Sequence, residues 1–222
     1  MYKFKIIKDY YEKDEFLYEK DTIIFKEGLT VLVGCNGSGK TTLFNQIERI
    51  LRDDETVFLM KYDNLHQGGS NKIGELAFRN NIKEAALRVM SSEGENIYYN
   101  IGEIISKLGT AIKGSKINKK KIFLLLDAVD SGLSIDYCSE LSEIINDLII
   151  PDAKQSNVKL YIIASTNAYE LARNNECFDI QHGKYIKFKD YEEYRDFILK
   201  SKEFKDIKNR KEVLLNERYN NW

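Results

Sequence analysis

A glycine-rich run in the first quarter of the chain reads Gly34-Cys35-Asn36-Gly37-Ser38-Gly39-Lys40-Thr41. It follows a short apolar, β-branched segment at 29–33 and precedes a segment, 41–51, whose apolar residues have helical spacing. The pattern G-x-x-x-x-G-K-[ST] between a buried strand and a helix is typical of a phosphate-binding loop. Glycines let backbone N–H groups turn toward phosphate oxygens, and the helix adds the positive end of its dipole. The residues expected to contact a nucleotide here are Asn36, Gly37, Ser38, Gly39, Lys40, Thr41 and Thr42.

Two side chains of this loop and one acid farther along the chain have expected roles in chemistry. Lys40 is expected to reach the β and γ phosphates as a catalytic residue, and the Thr41 hydroxyl to coordinate magnesium. The most apolar run of the chain, 122–126, ends at Asp127. In P-loop folds an acid in this position lies beside the phosphate loop and holds the metal, so Asp127 is expected to be both a metal-binding and a catalytic residue. The expected cofactors are ATP and Mg²⁺.

The remaining pattern alternates strands with helices. Apolar or alternating runs predict strands at 2–8, 22–25, 29–33, 57–60, 122–126 and 160–164, with a hairpin at 180–188. Helical spacing predicts helices at 41–51, 73–90, 97–112, 134–149 and 191–199, the fourth of them closed by Pro151. This order predicts an α/β fold, a P-loop NTPase with a mostly parallel central sheet, added antiparallel β elements and a compact helical part. We expect one domain over 1–222, with a charged tail at about 200–222 that forms an exposed or loosely packed helix.

Composition limits the choice of partner and compartment. The 222 residues are 43% hydrophobic and 31% charged, with a formal net charge of −1, so no global charge attracts nucleic acid or membrane. No segment approaches the ~20 apolar residues of a membrane span, and charged residues stand where a signal peptide would be apolar. The three cysteines are scattered and are expected to be reduced thiols. We therefore expect a cytoplasmic protein with no membrane partner.

Three stretches together resemble one family within the P-loop class. Residues 34–43 read Gly-Cys-Asn-Gly-Ser-Gly-Lys-Thr-Thr-Leu, residues 92–95 read Ser-Glu-Gly-Glu, and residues 125–133 read Leu-Leu-Asp-Ala-Val-Asp-Ser-Gly-Leu. The sequences of these stretches and their order along the chain are similar to the motifs of the ABC-type ATPases, in particular the soluble heads of chromosome-maintenance and recombination ATPases. By itself, Ser-Glu-Gly-Glu is also a common signal for the start of a helix.

The resemblance implies further site residues and an assembly. Ser92 and Gly94 would reach the γ-phosphate of ATP bound to a second subunit, which implies an ATP-dependent homodimer. Gln67 would contact the magnesium ion, although a solvated loop amide is an equal alternative. Tyr10 and Tyr11 lie where such proteins often stack an aromatic ring on adenine, although packing aromatics are the commoner reading.

The sequence departs from the family pattern at three places. Ala128 follows Asp127 where the family usually carries a catalytic glutamate. Asn167 stands where the family usually carries a histidine, at its switch position, and we expect Asn167 to be a catalytic residue. The segment between Gln67 and Ser92 is too short for coiled-coil arms. It would also leave little room for the helical subdomain of a transporter ATPase.

Three explanations of Ala128 remain open. Asp130 takes over as the catalytic acid, the protein is a slow nucleotide-gated switch, or the alanine was introduced to trap ATP. A missing general base costs a factor of about 10²–10⁴ in rate, while phosphate binding is unaffected.

These readings allow several functions. The favoured one is an ATPase with slow hydrolysis and ATP-driven dimerisation, serving DNA maintenance, DNA repair or anti-phage defence. The alternative is a non-hydrolysing, ATP-gated module that recruits a nuclease or toxin, and a transporter subunit is less favoured. Nucleic acid is a further candidate partner, through a cluster of lysines that otherwise forms a solvated loop: Lys116, Lys119, Lys120 and Lys121.

Overall fold

A six-stranded sheet forms the centre of the computed structural model, which describes residues 1–7, 17–67, 73, 76, 78, 79, 81–114 and 121–219, the side chains at 65 and 207–219 excepted. The strand order is β4-β5-β6-β3-β7-β8, and the first five of these strands run parallel while β8 is antiparallel to β7. A separate antiparallel pair, β1 and β2, lies outside this sheet. The strands are β1 Tyr2–Lys5, β2 Thr22–Phe25, β3 Gly28–Val33, β4 Val57–Asp63, β5 Lys121–Asp127, β6 Lys159–Ser165, β7 Glu176–Asp179 and β8 Lys184–Ile186.

The helices cover both faces of this sheet. Apolar side chains of β5 alternate between two cores: Leu124 belongs to one core together with Ile101 of α4, whereas Phe123 belongs to the other with Phe44 of α1 and Phe4 of β1. A strand covered on both faces must be apolar throughout, which explains the continuous run before Asp127. The helices are α1 Lys40–Arg52, α2 Asn64–Gln67, α3 Ile82–Met90, α4 Glu93–Lys113, α5 Ile135–Glu143, α6 Ile150–Gln155, α7 Tyr169–Ala172 and α8 Tyr191–Tyr219.

The predicted α/β fold with a mostly parallel sheet and added antiparallel strands is confirmed. The hairpin prediction at 180–188 is correct in kind but starts too late. Its first strand, β7, begins at Glu176 and joins the central sheet as a parallel neighbour of β3. Because β7 holds only four residues, it carries too little periodicity to be separated from the polar turn before it.

The prediction that Pro151 closes the helix after residue 134 is wrong. A π-helical turn, Ile144–Ile149, follows α5, and Pro151 then lies in the first turn of α6. Proline is tolerated at this position because the N–H that it lacks would not be needed there. In the π turn the hydrogen bond spans five residues, and the Ile150 N–H donates to the Ile145 carbonyl.

Two further helix bounds differ from the prediction. Helix α3 begins at Ile82, and in the earlier part of the predicted 73–90 segment residues 74, 75, 77 and 80 lie outside the described residues. Helix α8 continues from the predicted 191–199 segment to Tyr219. The tail is helical, as predicted, and residues 202–204 are exposed, whereas Ser201 is buried against the rest of the molecule. In the part of the chain that is described, no helix has the length and apolarity needed to cross a membrane.

Candidate nucleotide-binding site

The carboxyl ends of three neighbouring parallel strands, β5, β6 and β3, meet at one edge of the sheet. Ligands of open α/β sheets bind at this edge, because the loops that leave the strands converge there. A cavity of about 720 Å³ opens at this place, within the usual size of a ligand site. It is lined by Leu17, Asn36, Gly37, Gly39, Lys40, Thr41, Thr42, Asp127, Ala128, Asp130, Ser131, Ser165, Thr166 and Asn167.

The phosphate loop has a backbone that only glycine adopts easily. Gly39, at the start of α1, has a φ of +94°, and a Cβ atom there would lie 3.1 Å from the Tyr18 hydroxyl oxygen. That hydroxyl donates a hydrogen bond to the Gly39 carbonyl at 2.7 Å. Tyr18 therefore packs against the phosphate loop and binds the Gly39 carbonyl. Sequence reasoning missed Tyr18, since nothing local to residue 18 indicates a contact with residue 39.

Lys40 lies inside the loop. Its ammonium donates hydrogen bonds to the carbonyls of Gly34 at 2.7 Å and Cys35 at 3.1 Å, and to Asn167 Oδ1 at 3.2 Å. Burial lowers the pKa of Lys40, and the nearby positive charge of Lys205 lowers it further. The neighbouring Cys35, Asp130 and Asp127 counteract this lowering of the pKa in part.

Asp127 is almost fully buried at the end of β5, with 2% of its surface exposed. Its Oδ1 atom accepts a hydrogen bond from the Ser165 hydroxyl at 2.5 Å, and the Ser165 oxygen in turn accepts the Ala128 N–H at 2.7 Å. Ser165 thus fixes both the carboxylate and the turn after it. Sequence reasoning missed Ser165, although a polar residue at the end of an apolar strand was a usable signal. The Asp127 carboxylate and the Thr41 hydroxyl are hard oxygen donors of the kind that Mg²⁺ prefers.

Asn167 links three of the predicted site residues. Its backbone N–H donates to Asp130 Oδ2 at 3.0 Å, and its side-chain Nδ2 donates to Asn36 Oδ1 at 2.9 Å. Together with the contact from Lys40, these bonds join the loop after β6 to the phosphate loop and to the loop after β5. The amide both donates and accepts in this network, which a carboxylate could not do.

Ala128 lines the cavity with its backbone in the left-handed region, at a φ of +49°. Both of its backbone polar groups are held, the N–H by Ser165 and the carbonyl by Asn64 Nδ2 at 3.1 Å. The same Asn64 amide also donates to the Ser131 carbonyl. Asn64 therefore sets the path of the chain after β5. It was not predicted as a site residue, since the two carbonyls to which it donates are 64 and 67 residues away in sequence.

Four predicted site residues do not line the cavity: Ser38, which is buried within the phosphate loop, and Gln67, Ser92 and Gly94, which lie elsewhere. Gln67 accepts the Asp63 N–H at 3.0 Å and lines a second cavity of about 550 Å³ with residues of α4. Ser92 caps α4, because its hydroxyl accepts the Glu95 N–H at 3.3 Å and its own N–H donates to the Glu95 carboxylate at 2.7 Å. This pair is a capping box, so the reading of these residues as a helix start is confirmed. The roles of Gln67, Ser92 and Gly94 in binding nucleotide remain predictions.

Several other predicted residues lie outside the described part of the chain. These are Tyr10, Tyr11, Lys116, Lys119 and Lys120. Lys121 is described, and its ammonium donates to the Thr56 hydroxyl at 3.2 Å and stands 5.4 Å from the centre of the Tyr2 ring. These contacts hold the Lys121 side chain against Thr56 and the Tyr2 ring. The three cysteines are buried free thiols.

A parallel sheet, a glycine-rich loop between β3 and α1, and a buried carboxylate at the end of β5, the next strand but one from β3, define the P-loop class of ATPases. The family model for the AAA domain matches residues 16–220, so the chain belongs to that family. The prediction of a P-loop ATPase is thereby confirmed. The ABC-type assignment within that class remains a prediction.

Other comparisons are more distant. The chain is similar to the crystal structure of Cdc6p from Pyrobaculum aerophilum, with 15% sequence identity and a TM-score of 0.37. The match covers 66% of this chain and 34% of that one, so it spans about a third of the length of that protein. No curated protein sequence matches the chain.

Proposed function

We propose that the protein binds Mg-ATP in the cavity at the carboxyl ends of β3, β5 and β6 and hydrolyses it slowly. One observation carries this proposal: Lys40, Asp127 and Asn167 come from three separate strand ends and line the same cavity. The cavity volume suits a nucleotide, and the loop that borders it is built around a glycine that no other residue could replace without strain. The site therefore has both the chemistry and the space that a nucleoside triphosphate requires.

Each residue has a task that its contacts support. The backbone N–H groups of 36–42 and the Lys40 ammonium would bind the phosphates, with Lys40 exchanging its carbonyl partners for phosphate oxygens. Thr41 and Asp127 would hold Mg²⁺, which supplies neutralisation of the charge that develops on the phosphates. Asn167 would orient the reacting water or the γ-phosphate, since it already bridges Lys40 and Asp130.

We further propose that bound ATP joins two copies of the chain into a dimer. The exposed Ser92 and the loop around Gly132 lie next to each other, because a Cβ atom on Gly94 would come within 2.9 Å of the Gly132 carbonyl. A helix N-terminus that carries a serine hydroxyl is suited to a phosphate supplied from outside the chain. An ATP-dependent dimer of this kind would act in DNA maintenance, DNA repair or anti-phage defence.

A second candidate is an ATP-gated binding module that recruits a nuclease or toxin with little turnover. One observation favours it: the position after Asp127 faces the cavity but holds a methyl group in place of a carboxylate. An alanine can neither orient nor deprotonate water, so nucleotide would remain bound for longer. Turnover relative to nucleotide dissociation separates this candidate from the ATPase.

The test of the proposed function is a calorimetric titration of the purified chain with Mg-ATP, for the wild type and for Lys40→Ala. We expect binding by the wild type and a loss of ~10²-fold or more in affinity for the variant, the order of about 2.7 kcal/mol for a buried charged donor. Lys154→Ala, at an exposed lysine of α6, is the matched control and should bind like the wild type. A wild-type chain that does not bind Mg-ATP, or a Lys40→Ala variant with unchanged affinity, would overturn the proposal.

A further inference from the structure

The C-terminal helix α8 contacts the phosphate loop directly. Ser201, with 5% of its surface exposed, accepts the Cys35 N–H at 3.2 Å through its hydroxyl oxygen. The same hydroxyl donates to Gln181 Oε1 at 3.2 Å. Ser201 is therefore fully engaged, and it fixes a backbone N–H at the start of the loop.

Lys205 holds the next residue of the loop. It lies one helical turn after Ser201, on the same face of α8, and its ammonium donates to the Asn36 carbonyl at 2.9 Å. Two consecutive loop residues are thus held by one helix, Cys35 through its N–H and Asn36 through its carbonyl. With its carbonyl bound from the α8 side, the Asn36 peptide is fixed in one orientation.

Apolar side chains anchor the first part of α8 to the core. Tyr194 is buried in the core beneath β3, and Phe197 and Ile198 pack against the same core. Tyr194, Ile198, Ser201 and Lys205 are separated by four, three and four residues, the spacing of one helical face. The apolar half of this face anchors the helix, and its polar half reaches the loop.

The charge of Lys205 also reaches the site. Its ammonium is bonded to a residue that lines the cavity, and it acts electrostatically on Lys40. A triphosphate carries several negative charges at one end, and Asp127 and Asp130 place two more beside it. A second cation at the loop would offset part of that negative charge.

We propose that Lys205 is a positioning residue of the nucleotide site, which holds the Asn36 peptide in its phosphate-receiving form and adds a second positive charge beside the bound phosphates. This inference rests on the proposed binding of Mg-ATP. It makes the start of the charged tail, which was predicted to be an exposed or loosely packed helix, part of the site.

The experiment uses the full chain with three variants and measures Mg-ATP affinity by calorimetry and thermal stability in parallel. We expect Lys205→Met to weaken binding by about tenfold, the order of one charge-assisted hydrogen bond, with little change in melting temperature. Lys205→Arg keeps the donor and the charge and should bind within about threefold of the wild type, well inside the spread of such contributions. Lys202→Met removes an exposed lysine of the same helix and should bind like the wild type.

Two sets of results would overturn the inference while leaving the proposed function intact. One is an unchanged affinity for Lys205→Met. The other is a loss of affinity that Lys205→Arg does not restore and that accompanies a lower melting temperature in both variants, which would mean that Lys205 serves only helix packing. If the wild type itself does not bind Mg-ATP, the proposed function and the inference both fail.

Discussion

Ala128 lines the candidate nucleotide cavity with its backbone in the left-handed region, at a φ of +49°. A non-glycine residue in the left-handed region costs on the order of 1–3 kcal/mol, and it persists where the surroundings enforce it. Here Ser165 and Asn64 hold the N–H and the carbonyl of Ala128, so the backbone orientation is set independently of the side chain. A larger side chain at this position would keep the same backbone and extend into the cavity.

We expect Ala128→Glu to raise ATP turnover by ~10²-fold or more, because it places a carboxylate where a general base for water would act. Steady-state phosphate release measures this directly. The substitution should leave the free energy of unfolding little changed, since both residues carry a Cβ and meet the same backbone strain.

An unchanged turnover in Ala128→Glu would show that another group already serves as the base. Asp130 is the candidate, since it lines the cavity and accepts the Asn167 N–H at 3.0 Å. In that case Asp130→Asn should abolish the activity that Ala128→Glu failed to raise. If neither substitution alters turnover, no carboxylate of the loop after β5 acts on water.

At the scale of elements, the start of α4 and the loop after β5 pack closely enough to exclude side chains. A Cβ atom on Gly94 would lie 2.9 Å from the Gly132 carbonyl, and one on Gly132 would lie 2.7 Å from Ile97 Cδ1. The first contact requires backbone movement, because its partner is a main-chain oxygen, and Gly132 has a φ of +82°, which strains any other residue. The two glycines therefore allow the capped end of α4 to sit beside the nucleotide cavity.

We expect Gly94→Ala to destabilise the fold by roughly 1–3 kcal/mol, the range of overpacking, although alanine favours a helix. Gly102→Ala is the matched control in the same helix, where the added methyl meets open space. That variant should gain roughly 0.5–1 kcal/mol from helix propensity alone. Urea unfolding measures both, and a Gly94→Ala variant as stable as Gly102→Ala would contradict the close packing of α4 against this loop.

Local patterns predicted the elements that carry their own signal. The phosphate loop, the apolar β5 strand and Asp127 each show in a few adjacent residues, and the parallel order of strands then brings them together. Contacts between distant segments gave no such signal. Asn64 binds carbonyls after β5, Ser201 and Lys205 bind the phosphate loop, and β7 is a strand mainly because β3 lies beside it. Tertiary contacts, which no local pattern encodes, decide these features.

At the scale of the whole molecule, the site of one chain offers two unequal surfaces. One is the cavity with the phosphate loop, and the other is the exposed end of α4 beside Gly132. The Ser92 hydroxyl accepts the Glu95 N–H and also hydrogen-bonds the Glu95 carboxylate, so it would exchange that carboxylate for a phosphate oxygen. Two copies related by a two-fold axis could place each α4 end against the nucleotide of the other copy.

We therefore expect Mg-ATP, or a non-hydrolysable analogue, to convert the chain from monomer to dimer in sedimentation experiments. Ligand that binds only the paired form stabilises it by RT ln(1 + [L]/Kd), roughly 2.7 kcal/mol per site at about a hundredfold excess over Kd.

Ser92→Arg should block the dimer through bulk and charge at the interface. Ser92→Ala is its control, since it loses the same cap, worth about 1 kcal/mol, without adding bulk, and it should weaken the dimer less. Mg-ATP affinity of the monomer should be similar in both variants, because Ser92 lies outside the chain's own cavity. A wild-type chain that stays monomeric in saturating Mg-ATP would contradict both the dimer and the ABC-type assignment, while the nucleotide site itself would stand on its own titration.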